Sequence, residues 1–194
     1  MKKKKLYFEP IFFGLLSLMA MIVAIFVPFM EAFKTNNPYL DIKGAMTVKS
    51  AFNFIFGGST YGDIVLGVGH STINYPLGAI EVNFCLYPLI GYCLLLSAFP
   101  LGIAAFIFSI EGKKITTLIF YGLALVLLIT SGILILLSKE QIASAYFGNS
   151  FADINELIKA TNLQIGKGFT ICAISSFAGA ALTIPSFLST PIMD

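Results

Sequence analysis

Residues 115–137 read ITTLIFYGLALVLLITSGILILL and contain no Asp, Glu, Lys, Arg or His. A helix that crosses ~30 Å of hydrocarbon needs roughly 20 apolar residues, so this stretch predicts a transmembrane helix. Three further stretches without Asp, Glu, Lys, Arg or His, 12–29, 82–110 and 169–188, reach or approach the same length. The sequence therefore predicts an integral membrane protein, a four-helix transmembrane bundle that forms a single domain over residues 1–194.

The composition agrees with a membrane protein and excludes several kinds of function. Hydrophobic residues make up 57% of the chain and charged residues 11%, compared with roughly 25% charged residues in soluble domains. All twelve basic residues are lysines, so the planar fork by which arginine grips phosphate is missing, and we expect no nucleic-acid partner. Because ionisable residues within spans mark proton relays and ion sites, their absence argues against chemistry inside the bilayer.

The distribution of lysines predicts the orientation. A run of four, Lys2 to Lys5, precedes the first stretch, and Lys113 and Lys114 fill the turn between the second and third. The long loops 30–81 and 138–168 carry only three lysines each. The positive-inside rule then predicts a multi-pass protein of the cell membrane with both termini cytoplasmic and both long loops external. No small-x-small cleavage site follows the first stretch, so we interpret it as a retained anchor.

Membrane lipids are expected partners of the chain, and the lysines at residues 2–5 should attract anionic lipid.

The first long loop has the pattern of β-structure. Residues 46–56 alternate apolar and polar side chains, which predicts a strand with Phe52, Phe54 and Phe56 on one apolar face. Two more β-prone runs, 64–68 and 73–82, follow a glycine-rich turn. We expect a small antiparallel sheet of three or four strands, whose apolar face is covered by helix ends or by a partner protein.

The second long loop predicts a short amphipathic helix. Ser150 with Asp153 three residues later resembles a capping box, and the apolar positions that follow are Phe151, Ile154, Leu157 and Ile158. Two interpretations remain open: this face packs on the sheet or membrane surface, or it binds a partner.

Small residues dominate one side of the fourth stretch. Cys172, Ser176 and Ala180 form one row at helical spacing, and Ser175, Gly179 and Thr183 form the next. Such rows allow helix backbones to approach closely, so Ser176, Gly179 and Ala180 are predicted packing residues of a central helix.

Residues typical of catalytic or metal sites are few. Cys85, Cys93 and Cys172 lie in or at the edge of predicted spans and form no Cys-x-x-Cys pair. The only histidine, His70, lies between Gly69 and Ser71 and is interpreted as a solvated turn residue. We expect no catalytic residue, no metal site, no cofactor and no enzymatic activity.

The predicted topology resembles that of the claudin and peripheral-myelin-protein superfamily. The shared features are four helices with both termini inside, a β-prone first loop of about fifty residues, a second loop of about thirty, and the apolar-Pro-aromatic exit Val27-Pro28-Phe29. That family carries tryptophans and two cysteines in its first loop, where this chain has FNFIFG at residues 52–57. The resemblance implies a four-helix bundle with an external sheet.

Three function classes follow from these patterns. The leading one is a non-enzymatic structural or interaction protein that presents the external sheet and short helix to a membrane or envelope protein or to a second copy. The alternative is a subunit of a small-solute channel or transporter, lined by polar residues of the spans such as Asn83, Ser97, Thr130, Ser131, Ser175 and Ser176. A lipid-modifying enzyme is the least favoured.

Overall fold

A computed structural model of the chain describes residues 8–35, 44–68, 71–148 and 154–190. The elements in chain order are α1 (Phe8–Phe26), β1 (Phe33–Thr35), β2 (Gly44–Val48), α2 (Ala51–Phe56), β3 (Gly58–Val68), β4 (Ser71–Val82), α3 (Leu86–Ile110), α4 (Lys114–Leu136), α5 (Lys139–Phe147), α6 (Ile154–Ala160), β5 (Gln164–Ile165) and α7 (Lys167–Leu188). The helices α1, α3, α4 and α7 are long and apolar enough to cross a membrane, with a 3₁₀ turn extending α1 to Phe29. The predicted fold class, a membrane helical bundle with a small antiparallel sheet, is confirmed.

The bounds of the long helices differ from the predicted stretches at their ends. The first begins at Phe8 rather than at residue 12, because Glu9 and Pro10 fit the first turn of a helix. The second begins at Leu86, since Val82 still pairs with Gly58 as the last residue of β4. The other two differ by one or two residues from the prediction.

The described chain forms two compact units. The first, here called the bundle unit, contains residues 8–25, 93–133 and 173–190, and the second, the sheet unit, contains 26–35, 44–68, 71–92, 134–148 and 154–172. The bundle unit therefore holds most of the four long helices, and the sheet unit holds the strands and the three short helices.

The buried side of α4 follows a heptad spacing. Apart from Gly132, its buried positions alternate in steps of four and three residues: Thr117, Tyr121, Ala124, Leu128, Ser131 and Ile135. The same spacing appears in α1, where most of the buried residues are small: Pro10, Gly14, Ser17, Met21 and Ala24. A 3.5-residue repeat keeps one side of each helix toward its neighbours, as in left-handed bundles. In α7 44% of the most apolar window is buried, compared with 28–33% in the other three.

The sheet has five antiparallel strands in the order β4-β3-β2-β1-β5. Its first four strands come from the segment between α1 and α3, whereas β5 comes from the segment between α4 and α7. Phe33 of β1 pairs with Ile165 of β5, so the two long connections meet in one sheet. Sequence patterns predicted three or four strands because a two-residue strand such as β5 has no periodicity to detect.

The predicted strand over residues 46–56 is wrong in its second half. β2 ends at Val48, Ser50 adopts a left-handed conformation with φ 63°, and residues 51–56 form α2. Phe52 and Phe56 therefore lie one helical turn apart, with ring centroids 4.7 Å apart. The short run FNFIF fits either period, and the helix wins because it buries Phe54 completely.

The second long connection contains more structure than predicted. The amphipathic helix exists as α6 but begins at Ile154, while Phe151 and the proposed cap residues lie outside the described residues. A further helix, α5, precedes it and buries Ile142 and Ala143. Its sequence, KEQIASAYF, offers only two turns of weak amphipathic pattern, so the prediction missed it.

Candidate interaction surface

One face of the sheet is covered by helices of the sheet unit itself. Register places Phe33 opposite Val48, and both side chains are fully buried. The Phe33 ring contacts Phe54 of α2 and Tyr146 of α5, at centroid distances of 6.0 Å and 4.9 Å. The predicted cover was the ends of the long helices or a partner protein, and in the structure α2 and α5 take that place.

The opposite face is polar. Lys34, Thr47 and Asp63 occupy neighbouring register positions on β1, β2 and β3. Lys49 lies 2.7 Å from Asp63, with both side chains substantially exposed. An exposed pair of this kind contributes at most about 1 kcal/mol, so this face is a solvated surface.

Strand β4 forms an edge of the sheet. Ten of its twelve residues pair with β3 on one side, with a register shift that leaves out Gly78 and Ala79, and within the described residues no strand pairs on the other. The exposed side chains include Tyr75, Pro76 and Ala79, and the strand has no basic residue. Lysines and prolines are the usual protection of an edge, and Pro76 is the only residue of either kind in this strand. A long edge with free backbone donors and acceptors is suited to the addition of a strand from another chain.

A second exposed feature is an aromatic patch made of Phe29, Phe52 and Phe56. The rings of Phe29 and Phe52 stack at 4.8 Å, and Phe56 meets the ring of the buried Tyr92 edge-on at 5.7 Å. Phe29 is 61% exposed and Phe56 46% exposed. Grouped exposed aromatic side chains are favourable only where lipid or protein covers them, so the patch is a candidate contact surface.

A groove of about 460 Å³ lies between the start of α3 and helix α5. Its lining includes Asn83, Cys85, Gln141 and Ser144, and the Gln141 Oε1 atom accepts a hydrogen bond from the Tyr87 backbone N–H at 2.8 Å. Burial raises the pKa of the Cys85 thiol to about 12, so the thiol is protonated at neutral pH. The groove contains hydrogen-bonding groups and no charged side chain, so it lacks an acid–base pair.

The predicted residues of the fourth long helix lie in the bundle unit. Ser176, Gly179 and Ala180 are buried, and the Ser17 hydroxyl of α1 donates a hydrogen bond to the Gly179 carbonyl at 2.9 Å. A Cβ atom at Gly179 would lie 3.5 Å from side-chain atoms of Leu128 and Met21. These positions take part in helix packing.

The other predicted residues are divided between the aromatic patch, the core and the short helix. Phe54 belongs to the core of the sheet unit, and Phe52 and Phe56 belong to the patch. Ile154, Leu157 and Ile158 lie in α6, where the Ile158 side chain is half-buried. Phe151 and His70 lie outside the described residues.

Two glycines that sequence reasoning passed over connect the long segments. The Gly166 N–H donates to the Ala32 carbonyl and the Gly168 N–H donates to the Glu31 carbonyl, each at 2.8 Å. A Cβ atom at Gly166 would lie only 2.5 Å from the Glu31 carbonyl oxygen, so this close approach requires glycine. The Gly-x-Gly spacing just before the fourth apolar stretch was the available signal.

Metal-binding clusters and disulfides are not part of the described structure. Across residues 8–35, 44–68, 71–148 and 154–190 no group of three His, Cys, Asp or Glu side chains lies close enough to hold a metal. None of the three cysteines forms a disulfide: Cys85 lies just before α3 and the other two lie inside helices. No protein-family model matches this chain, and no curated protein matches it. The free edge of β4 and the aromatic patch are thus the main grounds for a functional proposal.

Proposed function

We propose that this chain is a non-enzymatic membrane protein that binds another membrane or envelope protein through the free edge of β4. The observation that carries the proposal is a twelve-residue strand that, within the described part of the chain, has a partner strand on one side only. Because α2 and α5 cover the apolar face and the other face is polar, the edge is the part of the sheet with unused backbone hydrogen-bonding groups.

Strand addition supplies both affinity and selectivity. The main-chain bonds of an added strand are independent of sequence, while alternate side chains along the edge discriminate between partners. Here Tyr75 provides a large exposed side chain and Pro76 interrupts the row of donors, which fixes where an added strand can pair. The aromatic patch offers an apolar surface that suits a second contact with the same partner.

The lysine distribution supports a location in the cell membrane with both termini cytoplasmic. Lys113 and Lys114 lie at the α3–α4 turn, and the connections that build the sheet are poor in lysine. The claudin and peripheral-myelin-protein superfamily, which the predicted topology resembles, also has both termini inside.

In a cysteine-free background, Tyr61→Cys should react with an impermeant thiol reagent on intact cells and Lys113→Cys should not. The opposite pattern would invert the proposed topology.

A pair of tyrosines allows a matched test of the edge. Tyr75 on β4 is 51% exposed and Tyr61 on the interior strand β3 is 57% exposed. A lysine in the edge disfavours strand addition, so Tyr75→Lys should reduce recovery of the bound partner at least about tenfold when complexes are purified in mild detergent. Tyr61→Lys should retain it.

Two outcomes would contradict the proposal. Equal recovery of partner by both lysine variants would exclude the edge as the binding site. A closed homo-oligomer that conducts a small solute and is indifferent to Tyr75→Lys would favour the channel alternative instead.

A further inference from the structure

The bundle unit has a small apolar groove on the surface between α4 and α7. The groove has a volume of about 140 Å³ and is lined by Leu118, Tyr121, Gly122, Leu125, Thr183, Ile184 and Phe187. Its four α4 residues span about 10 Å along the helix axis, at 1.5 Å per residue. Gly122 forms the open centre, since a Cβ atom there would meet nothing within 4 Å.

The polar atoms of the lining residues are turned away from the groove. The Tyr121 hydroxyl is 3.0 Å from the Ser186 hydroxyl, and the Thr183 hydroxyl donates to the Ala180 carbonyl at 2.7 Å. The Ser186 hydroxyl in turn donates to the Pro10 carbonyl, so the Tyr121 O–H is the donor to Ser186. With these groups satisfied inside the bundle, only hydrocarbon faces outward.

A lysine lies at one end of the groove. Lys114 is the first residue of α4, one turn before Leu118, and its Nζ is 5.8 Å from the centroid of the Phe187 ring. Its neighbour Lys113 pairs with Glu111 at 2.7 Å. No carboxylate of the described residues pairs with Lys114, which leaves its charge available to a ligand.

We propose that the groove binds one acyl chain of an anionic phospholipid whose phosphate pairs with Lys114. Both groove helices are membrane-spanning candidates, so lipid is the molecule that surrounds this surface. The apolar lining suits the acyl chain. Lys114 lies at the end of the helix, where the headgroup region of the membrane begins, and its charge is opposite to that of the headgroup. A zwitterionic lipid has the same phosphate, but its own ammonium group offsets the attraction to Lys114, so it gains less from the lysine.

The test compares lipid binding to the purified, delipidated full chain by native mass spectrometry. Phosphatidylglycerol should form a saturable one-to-one complex that is severalfold tighter than that of phosphatidylcholine. Lys114→Gln should weaken phosphatidylglycerol binding about fivefold, the effect of about one interfacial lysine charge, and should bring the two lipids to similar affinity. Lys167→Gln at the start of α7 is the matched control and should leave the preference unchanged.

A second variant tests the acyl-chain part of the site. Gly122→Leu fills open space rather than packed core, so it should fold and melt like the parent without lipid, yet lose the one-to-one complex with either lipid. Equal binding of both lipids by the parent, or unchanged binding by Gly122→Leu, would overturn the proposal. A change of oligomeric state in Gly122→Leu without loss of lipid would also overturn it, because a second copy would then be the occupant.

Discussion

At the scale of single residues, two of the three phenylalanines of α2 have different roles. Phe54 is fully buried against Phe33, whereas Phe56 is 46% exposed in the aromatic patch. We expect Phe54→Ala to lower the free energy of unfolding by about 3–5 kcal/mol because it opens a cavity in a packed core. Phe56→Ala should cost only its ring pairs with Phe52 and Tyr92, about 0.5–1.5 kcal/mol for each pair. Thermal melting of both variants in detergent measures the difference, and equal destabilisation would contradict these placements.

The thiol of Cys85 provides a prediction about pH. Burial raises its pKa from 9.0 to about 12, so the thiolate fraction at pH 8 falls roughly a thousandfold relative to an unshifted thiol. In a chain with Cys93→Ala and Cys172→Ala, alkylation by iodoacetamide should be very slow at pH 8. The rate should rise about tenfold per pH unit up to about pH 12, or until unfolding exposes the thiol. Rapid reaction of the folded protein at pH 8 would show that Cys85 is accessible and ionised.

At the scale of elements, the contact between the two long segments depends on Gly166. A methyl group at this position would meet the backbone of Glu31 and Ala32, which cannot move aside as a flexible side chain would. Gly166→Ala should therefore cost about 1–3 kcal/mol as overpacking and should separate β5 from β1. Gly78→Ala in β4 is the control, because nothing lies within 4 Å of its added Cβ atom. Amide hydrogen exchange at Lys34 and at residue 166, whose N–H donates to the Ala32 carbonyl, would report the pairing, and full protection in Gly166→Ala would refute the argument.

The long helices could be predicted from sequence and the short elements could not, for a physical reason. A stretch such as 115–137 has one stable conformation in a bilayer, the helix, since every backbone group must be hydrogen-bonded within the segment. Residues 51–56 have two possible conformations. Phe52, Phe54 and Phe56 fit the two-residue period of a strand, and the same run fits one and a half turns of a helix. The outcome depends on Phe33, Tyr146 and Phe147, which are distant in sequence. The pairing of β5 with β1 and the free edge of β4 are likewise products of tertiary contacts.

At the scale of the whole molecule, the spacing of buried residues suggests a test of helix packing. Gly179 and Ala180 are buried in α7, while the next residue, Ala181, is exposed. Gly179→Leu and Ala180→Leu should each lower stability by about 1–3 kcal/mol through overpacking. Ala181→Leu makes the same kind of enlargement on the exposed side and should melt with the parent. If all three variants melt together, α7 does not pack through these residues.

Predictability at this scale also has a physical limit. Rows of small residues predicted where α7 can approach other helices, since only Gly, Ala and Ser permit close backbones. They carry no information about the Tyr121, Ser186 and Pro10 hydrogen bonds, which join α4, α7 and α1. Sequence reasoning likewise passed over the groove beside Gly122, because an open glycine and a packed glycine read the same in a sequence.

The pairing of β1 with β5 has a consequence for biosynthesis. Two of the four long helices, α3 and α4, separate the two strands in the chain, so β1 is made long before its last neighbour exists. At about 5–20 residues per second, translation from β1 to β5 takes on the order of ten seconds. During that interval the nascent sheet has bare edges at both β1 and β4. Emergence of the Gln164–Ile165 strand, immediately before the last helix, closes the first of these, so insertion of the final helix and completion of the sheet become a single event in the maturation of the protein.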